Sequence, residues 1–483
     1  MKKKSVLTLL SILLVFFIQF SFMPFPAIGD ELITNDSRPL SLRECIEIAL
    51  SKNRKGMICE LQVEIAEHQV NQALSSYWPR LHLDSVLVHH DERTNFIFPE
   101  EVSKYIIKTP EGYDIETVAR IPEKDVTISD KDNVLNKLEM TYPIYTGGAR
   151  RANVSMAKHG LSAAKETLRR TRLEITYDVS RMYYAVILAD RLSSMVSSAY
   201  ERMKATHNLT EQFYLEGSRK VNRLDFLKSG ILLESIRSVK AEMEKNGETA
   251  RMALKNTMGL PVDAHLALSE TDIPITSDIP DENMVLEGAY RFNPDLSRFN
   301  EQLMALTQKM ASEKAGHFPV IALTGSLYRW DNDYDGGLST SENKNGWSVG
   351  IALSMNVFDG FLTSEKVKEA EKNLAAMTAG QILLKEGVAV KIRHGMIRLR
   401  KSAEIIEACS KACDYAVEMR ELASDAYINS LIDTKELIEA QIMETITLIR
   451  KEQAVYDQAL ALFDIDFVVG REVEKLLTET MKQ

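Results

Sequence analysis

Two stretches of this 483-residue chain, Gly148 to about Tyr214 and Phe361 to about Tyr427, contain no proline and are dominated by Ala, Leu, Glu, Lys and Arg. Each predicts a helix of about 65 residues, on the order of 100 Å at 1.5 Å per residue, a length far beyond that of a globular helix. In the first, Leu161, Leu168, Ile175, Met182, Ala189, Val196 and Met203 recur every seven residues, with Ala164, Ala185, Leu192 and Ala199 three places on. That spacing is a coiled-coil seam. Ala370, Leu374 and Met377 begin a similar stripe in the second, which Gln381 and Lys391 interrupt. Both helices reach a short polar break, Tyr214–Leu227 and Tyr427–Ala440, and the chain then returns as helix to Gly259 and to about Phe467. Two long hairpins result.

The chain also repeats itself. ALSKN at Ala49–Asn53 is answered 240 positions later by AYRFN at Ala289–Asn293, and Trp78-Pro79 by Phe318-Pro319 at the same offset. Beyond them YTGG from Tyr145 is answered 213 positions later by FDGF from Phe358, and Tyr214 by Tyr427. The offset shrinks because the first half holds a longer insertion. Each half thus reads as a helix ending at an aromatic-Pro pair, two alternating segments, and a Gly turn (Gly147-Gly148, Gly360) opening a very long helix. The proline-interrupted stretch Leu260–Asn283 is a crossover between repeats. This gives residues 1–29 as a signal peptide, 30–270 and 271–470 as the two repeats, and 471–483 as a tail.

The alternating segments predict strands. Trp347, Val349, Ile351, Leu353, Met355 and Val357 alternate with small or polar residues, as do Leu138, Met140, Tyr142 and Ile144 with Lys137, Glu139 and Thr141. Leu81–His90 and Val320–Trp330 are their partners, with Asp331–Gly346 as a hairpin connection. About ten residues is the length a tilted strand needs to cross a bilayer. On pattern alone a soluble sheet packed on helices fits equally well. The long helices, whose apolar stripes already have each other to pack against, tip the balance together with an export signal: Lys2, Lys3 and Lys4 precede an apolar run from Val6 to Phe22, with Ala27 and Gly29 after it. Beyond Asp30 no apolar stretch reaches the roughly 20 residues of a spanning helix, so membrane entry falls to the strands. Four strands cannot close a barrel, and an open edge in lipid costs several kcal/mol per unpaired backbone group. Barrels start at about 8 strands, so at least two chains are needed, and three give about 12. The polar stretch His89–Asn133, with Pro99, Pro110 and Pro122, is expected as a long surface loop.

Net charge is −10, and residues 1–29 carry +3, which leaves the remainder near −13 and argues against a nucleic-acid partner. Cys45, Cys59, Cys409 and Cys413 are too few and too scattered for a disulfide framework. Cys409 and Cys413 are expected on a buried stripe with Ile405, Ile406 and Ala416. His89–Glu92 could suggest metal ligands, but adjacent side chains on a strand point apart. No P-loop, zinc-protease motif or nucleophile elbow occurs. No catalytic, cofactor or metal site is expected, and the chain reads as no enzyme.

The segments LSLRECIEIALSKN (Leu40–Asn53), YPIYTGGARRANVSMAKHGLSAAKETL, LKNTMGLP (Leu254–Pro261) and MNVFDGFLTSEKVKEAEKNLAA resemble, in order, those of the TolC-like outer-membrane efflux proteins. The resemblance implies a mainly α chain with a membrane β-barrel: a homotrimer with four strands per chain in a 12-stranded barrel and a helical tunnel through the periplasm. It implies a passive duct for efflux or type I secretion, partnered by a periplasmic adaptor and an inner-membrane transporter. By position it carries the periplasmic gate onto Tyr427, Glu436 and Glu439 of the second hairpin and Asp225 of the first, with tips at Gly217 and Ser430. Rings of three carboxylates would favour cations. Ser430 stands where a tip glycine is usual, and Ile432 where an arginine can link hairpins, so a salt-bridge latch there is not implied. The reading from another class is a coiled-coil envelope adhesin or scaffold.

Overall fold

The computed structural model describes residues 38–129, 131–218, 221–276, 278–332, 344–429 and 431–471. The expected signal peptide, Ser430 and all of the tail but Arg471 lie outside the described residues. In the first half α1 (Leu42–Lys52) and α2 (Arg54–Leu74) lead to β1 (Arg80–His89). Four short strands follow: β2 (Thr94–Phe98), β3 (Glu101–Lys108), β4 (Asp114–Ile121) and β5 (Lys124–Ser129). The chain returns through β6 (Asp132–Tyr145) into α3 (Ala149–Leu215) and α4 (Arg223–Thr257). The second half repeats this grammar with α5 (Glu282–Phe292), α6 (Pro294–Lys314), β7 (Val320–Asn332), β8 (Asn345–Ser354), α7 (Leu362–Ile428) and α8 (Thr434–Val469). Helices α3 and α7 have 67 residues each, about 100 Å.

The repeated letters do repeated work. Asn53 caps α2 through Lys55 N (2.8 Å) while its amide donates to Thr257 O (2.7 Å) at the end of α4. Asn293, 240 positions on, caps α6 through Leu296 N (3.0 Å) and donates to Val468 O (2.6 Å) at the end of α8. One side chain thus sets a helix start and ties it to the returning helix. The cores repeat as well. Ile175, Val179, Tyr183 and Val186 of α3 are buried beside α1 and α8, and Val388, Ile392, Met396 and Leu399, each 213 positions later, are buried on α7 beside α5 and α8.

Long helices pack in the order α4, α3, α8, α7, with α2 and α6 along α3 and with α6 also touching α7. Both flanks are uncovered: α7 exposes Leu383, Val390 and Ile397 at heptad spacing, and α2, alongside α3, exposes Ile58, Leu61 and Ile65. Ile405 corrects an expectation. It is exposed on the side of α7 that α8 does not cover, whereas Cys413 is buried and Cys409 half-buried.

The four long strands form one antiparallel sheet in the order β1-β6-β7-β8. Its register aligns like with like. Leu83, Leu138, Leu327 and Trp347 form one row across the strands, and Leu81, Met140, Gly325 and Val349 the next, with Tyr142, Leu323 and Ile351 beyond. The alternate rows hold His82, Glu139, Ser326 and Ser348, and Arg80, Thr141, Thr324 and Gly350. Among the described residues no helix covers the apolar side: Leu83 is 62% and Trp347 74% exposed. Among the described residues no helix is long and apolar enough to cross a membrane.

The stretch expected as an irregular loop is instead a ribbon. β2 pairs with β5, and β3 with β4, so residues 94–129 extend the β1/β6 hairpin as a two-stranded arm. Pro99, Pro110 and Pro122 fall in the breaks between these strands, where a missing N–H costs nothing.

Candidate gate and constriction

The hairpin tips are built by ordinary helix-end chemistry. At the first, Gly217 (φ +69°) stops α3, with Ser218 N donating to Phe213 O (3.0 Å) and Gly217 N to Tyr214 O (3.2 Å). This is a Schellman closure, which needs the left-handed conformation that glycine adopts freely. Helix α4 then opens with a capping box: Asn222 accepts from Leu224 N and Asp225 N, while Asp225 Oδ2 accepts from Asn222 N (3.2 Å). Asp225 is therefore held at the positive end of α4.

Tyr427 is buried at the base of the second tip. Its hydroxyl is within hydrogen-bond distance of Thr210 Oγ1 (3.1 Å) and Thr434 Oγ1 (3.2 Å), so one phenol ties α3, α7 and α8 together. Glu436 and Glu439 are exposed in the first two turns of α8, with Lys435 Nζ 3.6 Å from Glu439. The fold thus places Tyr427 and the two glutamates on one hairpin and Asp225 on the other.

Sequence reasoning missed how α8 is fastened. At several heights it presents a polar side chain to its neighbours. Thr434 meets Tyr427, and Gln441 donates to Thr206 (3.0 Å). Glu444 lies between Arg202 of α3 (2.9 Å) and Arg420 of α7 (3.1 Å), Glu452 accepts from Arg191 (2.7 Å), and Asp464 accepts from Tyr177 and Arg398 (2.6 Å each). Gln441 and Glu444 stand four and seven places after Leu437, on its buried face. A polar residue at a seam position was the available signal. One further acid, Asp466, is buried with Oδ2 unpartnered among the described residues. Burial pushes its carboxyl up to about 7, with Arg471 pulling the other way.

The strand-to-helix turns match residue for residue. Gly147 and Gly148 have φ of +62° and +93°, and Gly360 and Phe361, 213 positions on, have +67° and +70°. A Cβ on Gly147 would lie 2.7 Å from Phe318 Cβ and 2.8 Å from Ala315 O, whereas one on Gly360 would meet nothing within 4 Å. His89 Nδ1 is 2.7 Å from Asp132 Oδ1, and the described residues contain no cluster able to hold a metal ion.

Residues 45–260 match the model of a family described as outer membrane efflux protein. Nodulation protein T of Rhizobium leguminosarum bv. trifolii is 20% identical over 364 residues, 71% of this chain and 75% of that protein. The fold is similar to that of the CmeC outer membrane channel of Campylobacter jejuni, with a TM-score of 0.71 at 16% identity over 95% of this chain and 94% of that one. It is similar also to the outer membrane protein VceC of Vibrio cholerae, with a TM-score of 0.72 at 16% identity over 89% and 96%.

Proposed function

We infer that this chain, which belongs to the outer membrane efflux protein family through its first repeat and keeps that family's fold through its second, is one of three identical subunits of an outer-membrane exit duct. The observation that carries the reading is a pattern satisfied once within the chain and left open at its ends. The Gly147 turn seats against Phe318, and α3 lies between α6 and α8. Moved by one repeat, the same contacts would join the Gly360 turn to Trp78, and α7 to α2 and α4. Within one chain Trp78 is 72% exposed, the Gly360 turn is open, and the facing stripes of α2 and α7 are bare. A neighbouring copy supplies every missing partner, and the unpaired edges of β1 and β8 then join by the same operation. Three copies close twelve strands, with the apolar rows facing lipid. A coiled-coil scaffold would leave those rows in water.

The duct is passive: the work is done by an inner-membrane transporter reached through a periplasmic adaptor, and small molecules or polypeptides leave through the barrel. Tyr427 pins the second hairpin, and rings of Glu436 and Glu439, with Asp225 near them, form an anionic constriction at the periplasmic end. In planar bilayers the purified oligomer is expected to conduct weakly with cation preference. Glu436→Ala with Glu439→Ala should diminish that preference, and an unaltered reversal potential would exclude both from the constriction. A water-soluble monomer would overturn the whole reading.

The two turns provide a second check. Gly147→Ala adds steric overlap to a left-handed strain of roughly 1–2 kcal/mol and should destabilise each subunit. Gly360→Ala carries only the strain in an isolated chain, so if Trp78 of the next copy seats there, it should chiefly weaken the trimer. Native gels after graded heating distinguish the two, and a trimer as heat-resistant as wild type would sink the Trp78 contact.

A further inference from the structure

The arm of residues 94–129 projects from the end of the sheet opposite the helices, which in the reading above is outside the cell. It has two unlike faces. From the register of β3 and β4, Glu101, Ser103, Tyr105 and Ile107 share one face with Ile121, Ala119, Thr117 and Ile115. The other face carries Lys104, Lys108, Asp114, Glu116 and Arg120 among Val102, Ile106 and Val118, with Lys104 3.7 Å from Glu116. One face is nearly free of charge and the other is charged throughout. Yet Tyr105, Ile107, Ile115 and Ile121 are all more than half exposed in the single chain. An isolated two-stranded ribbon is marginal in water, and an antiparallel ribbon of this pattern has its uncharged face covered.

Ring geometry says what covers it. The second repeat joins β7 to β8 through residues 333–344 and has no insertion of comparable length, so a ring of three carries three arms. Twelve tilted strands about 4.8 Å apart give a barrel radius of roughly 12 Å, which sets the arms about 20 Å apart at the rim. Residues 94–108 reach about 50 Å at ~3.3 Å each, so a lean of several ångströms brings neighbouring faces to the ~10 Å of packed sheets. Arms held on one rim also meet without the entropy cost of free association. The strands are also opposite in net charge: β3, with Lys104, Lys108 and Glu101, is positive, and β4, with Asp114, Glu116 and Arg120, is negative, so edges of successive copies attract weakly.

We propose that the arms of the three copies pack against one another through the Tyr105, Ile107, Ile115 and Ile121 face, forming a crown over the outer mouth of the barrel. The proposal rests on the trimer reading, and its test records trimer formation separately. Two differently tagged chains, both carrying Ile107→Cys, are co-expressed, and membranes are treated with a bismaleimide spanning about 10 Å, the spacing of packed sheets. Ile106→Cys, on the charged face, serves as the control, and the unmodified chain reports the background of the native cysteines. Burial pushes the Cys45 thiol up to about 12 and also raises that of Cys413, which lowers their share of this background and leaves the half-buried Cys59 and Cys409 as its main source. Expected is a covalent product joining the two tags at Ile107→Cys, several-fold above that at Ile106→Cys, in a trimer that still assembles. An intact trimer with equal or no linkage at the two positions overturns the crown. This holds equally if Ile107→Cys is shielded from a monofunctional maleimide, because lipid or another molecule would then cover the face. Absence of the trimer would instead refute the reading beneath it.

Discussion

Glu444→Ala is expected to loosen the periplasmic end of the channel, raising single-channel conductance and lowering the heat stability of the trimer. Glu444 is 5% exposed and stands between two guanidiniums, Arg202 from α3 and Arg420 from α7. Its removal leaves Arg202 facing Arg420 across three packed helices, with the exposed Glu421, 3.0 Å from Arg420, to offset the two cations. Breaking a buried pair in this way costs about 3–5 kcal/mol. Both arginines keep partial access to water, which reduces the figure to roughly 2–3 kcal/mol per chain. The lost tie is one of those that hold the second hairpin to α3, so that hairpin gains freedom to swing outward. Glu444→Gln, which keeps an acceptor and loses the charge, should fall between the two. Wild-type conductance and melting in Glu444→Ala would show that the bracket does not restrain the hairpin.

Asp466→Asn should remove a slope of stability with pH. The Asp466 carboxyl moves from an ordinary 3.8 to about 7 on folding, because burial penalises its anion. Below pH 4 both folded and unfolded chains hold the proton, and the residue is neutral to stability. Between pH 4 and pH 7 the unfolded chain ionises while the folded chain keeps its proton, so stability falls as pH rises, and above pH 7 the loss is complete. Three decades at ~1.4 kcal/mol each amount to about 4 kcal/mol. Asparagine has a similar shape and no charge, so the variant should match wild type near pH 4 and exceed it by up to that amount at pH 8. Denaturant unfolding in detergent across this range measures it. Parallel curves for the two proteins would mean that Asp466 ionises without penalty.

Much of this fold was legible because its elements obey one period over long distances. Residues 149–215 and 362–428 are proline-free and helical throughout, and the strand from Trp347 alternates without interruption. Asn53 and Asn293 were visible as repeated letters, and only the structure shows why: each caps one helix and ties down another. The arm escaped because its strands are 5 to 8 residues long and mix charges with apolar residues. Pairing with a partner strand, which no local pattern encodes, turns three scattered prolines into three corners. The fastening of α8 escaped for a related reason. Glu444 resembles any helical glutamate until Arg202 and Arg420, 242 and 24 residues away, are brought beside it. The acids at the tips were named by resemblance, and the single chain shows one copy of each, within the first two turns of a helix.

An arm that grows from one repeat and not the other gives the two ends of the assembly different counting rules. At the helical end two similar hairpins per chain would present six near-equivalent clefts in a ring of three. At the opposite end the doubling is undone, and a molecule arriving from outside would find only three places to hold.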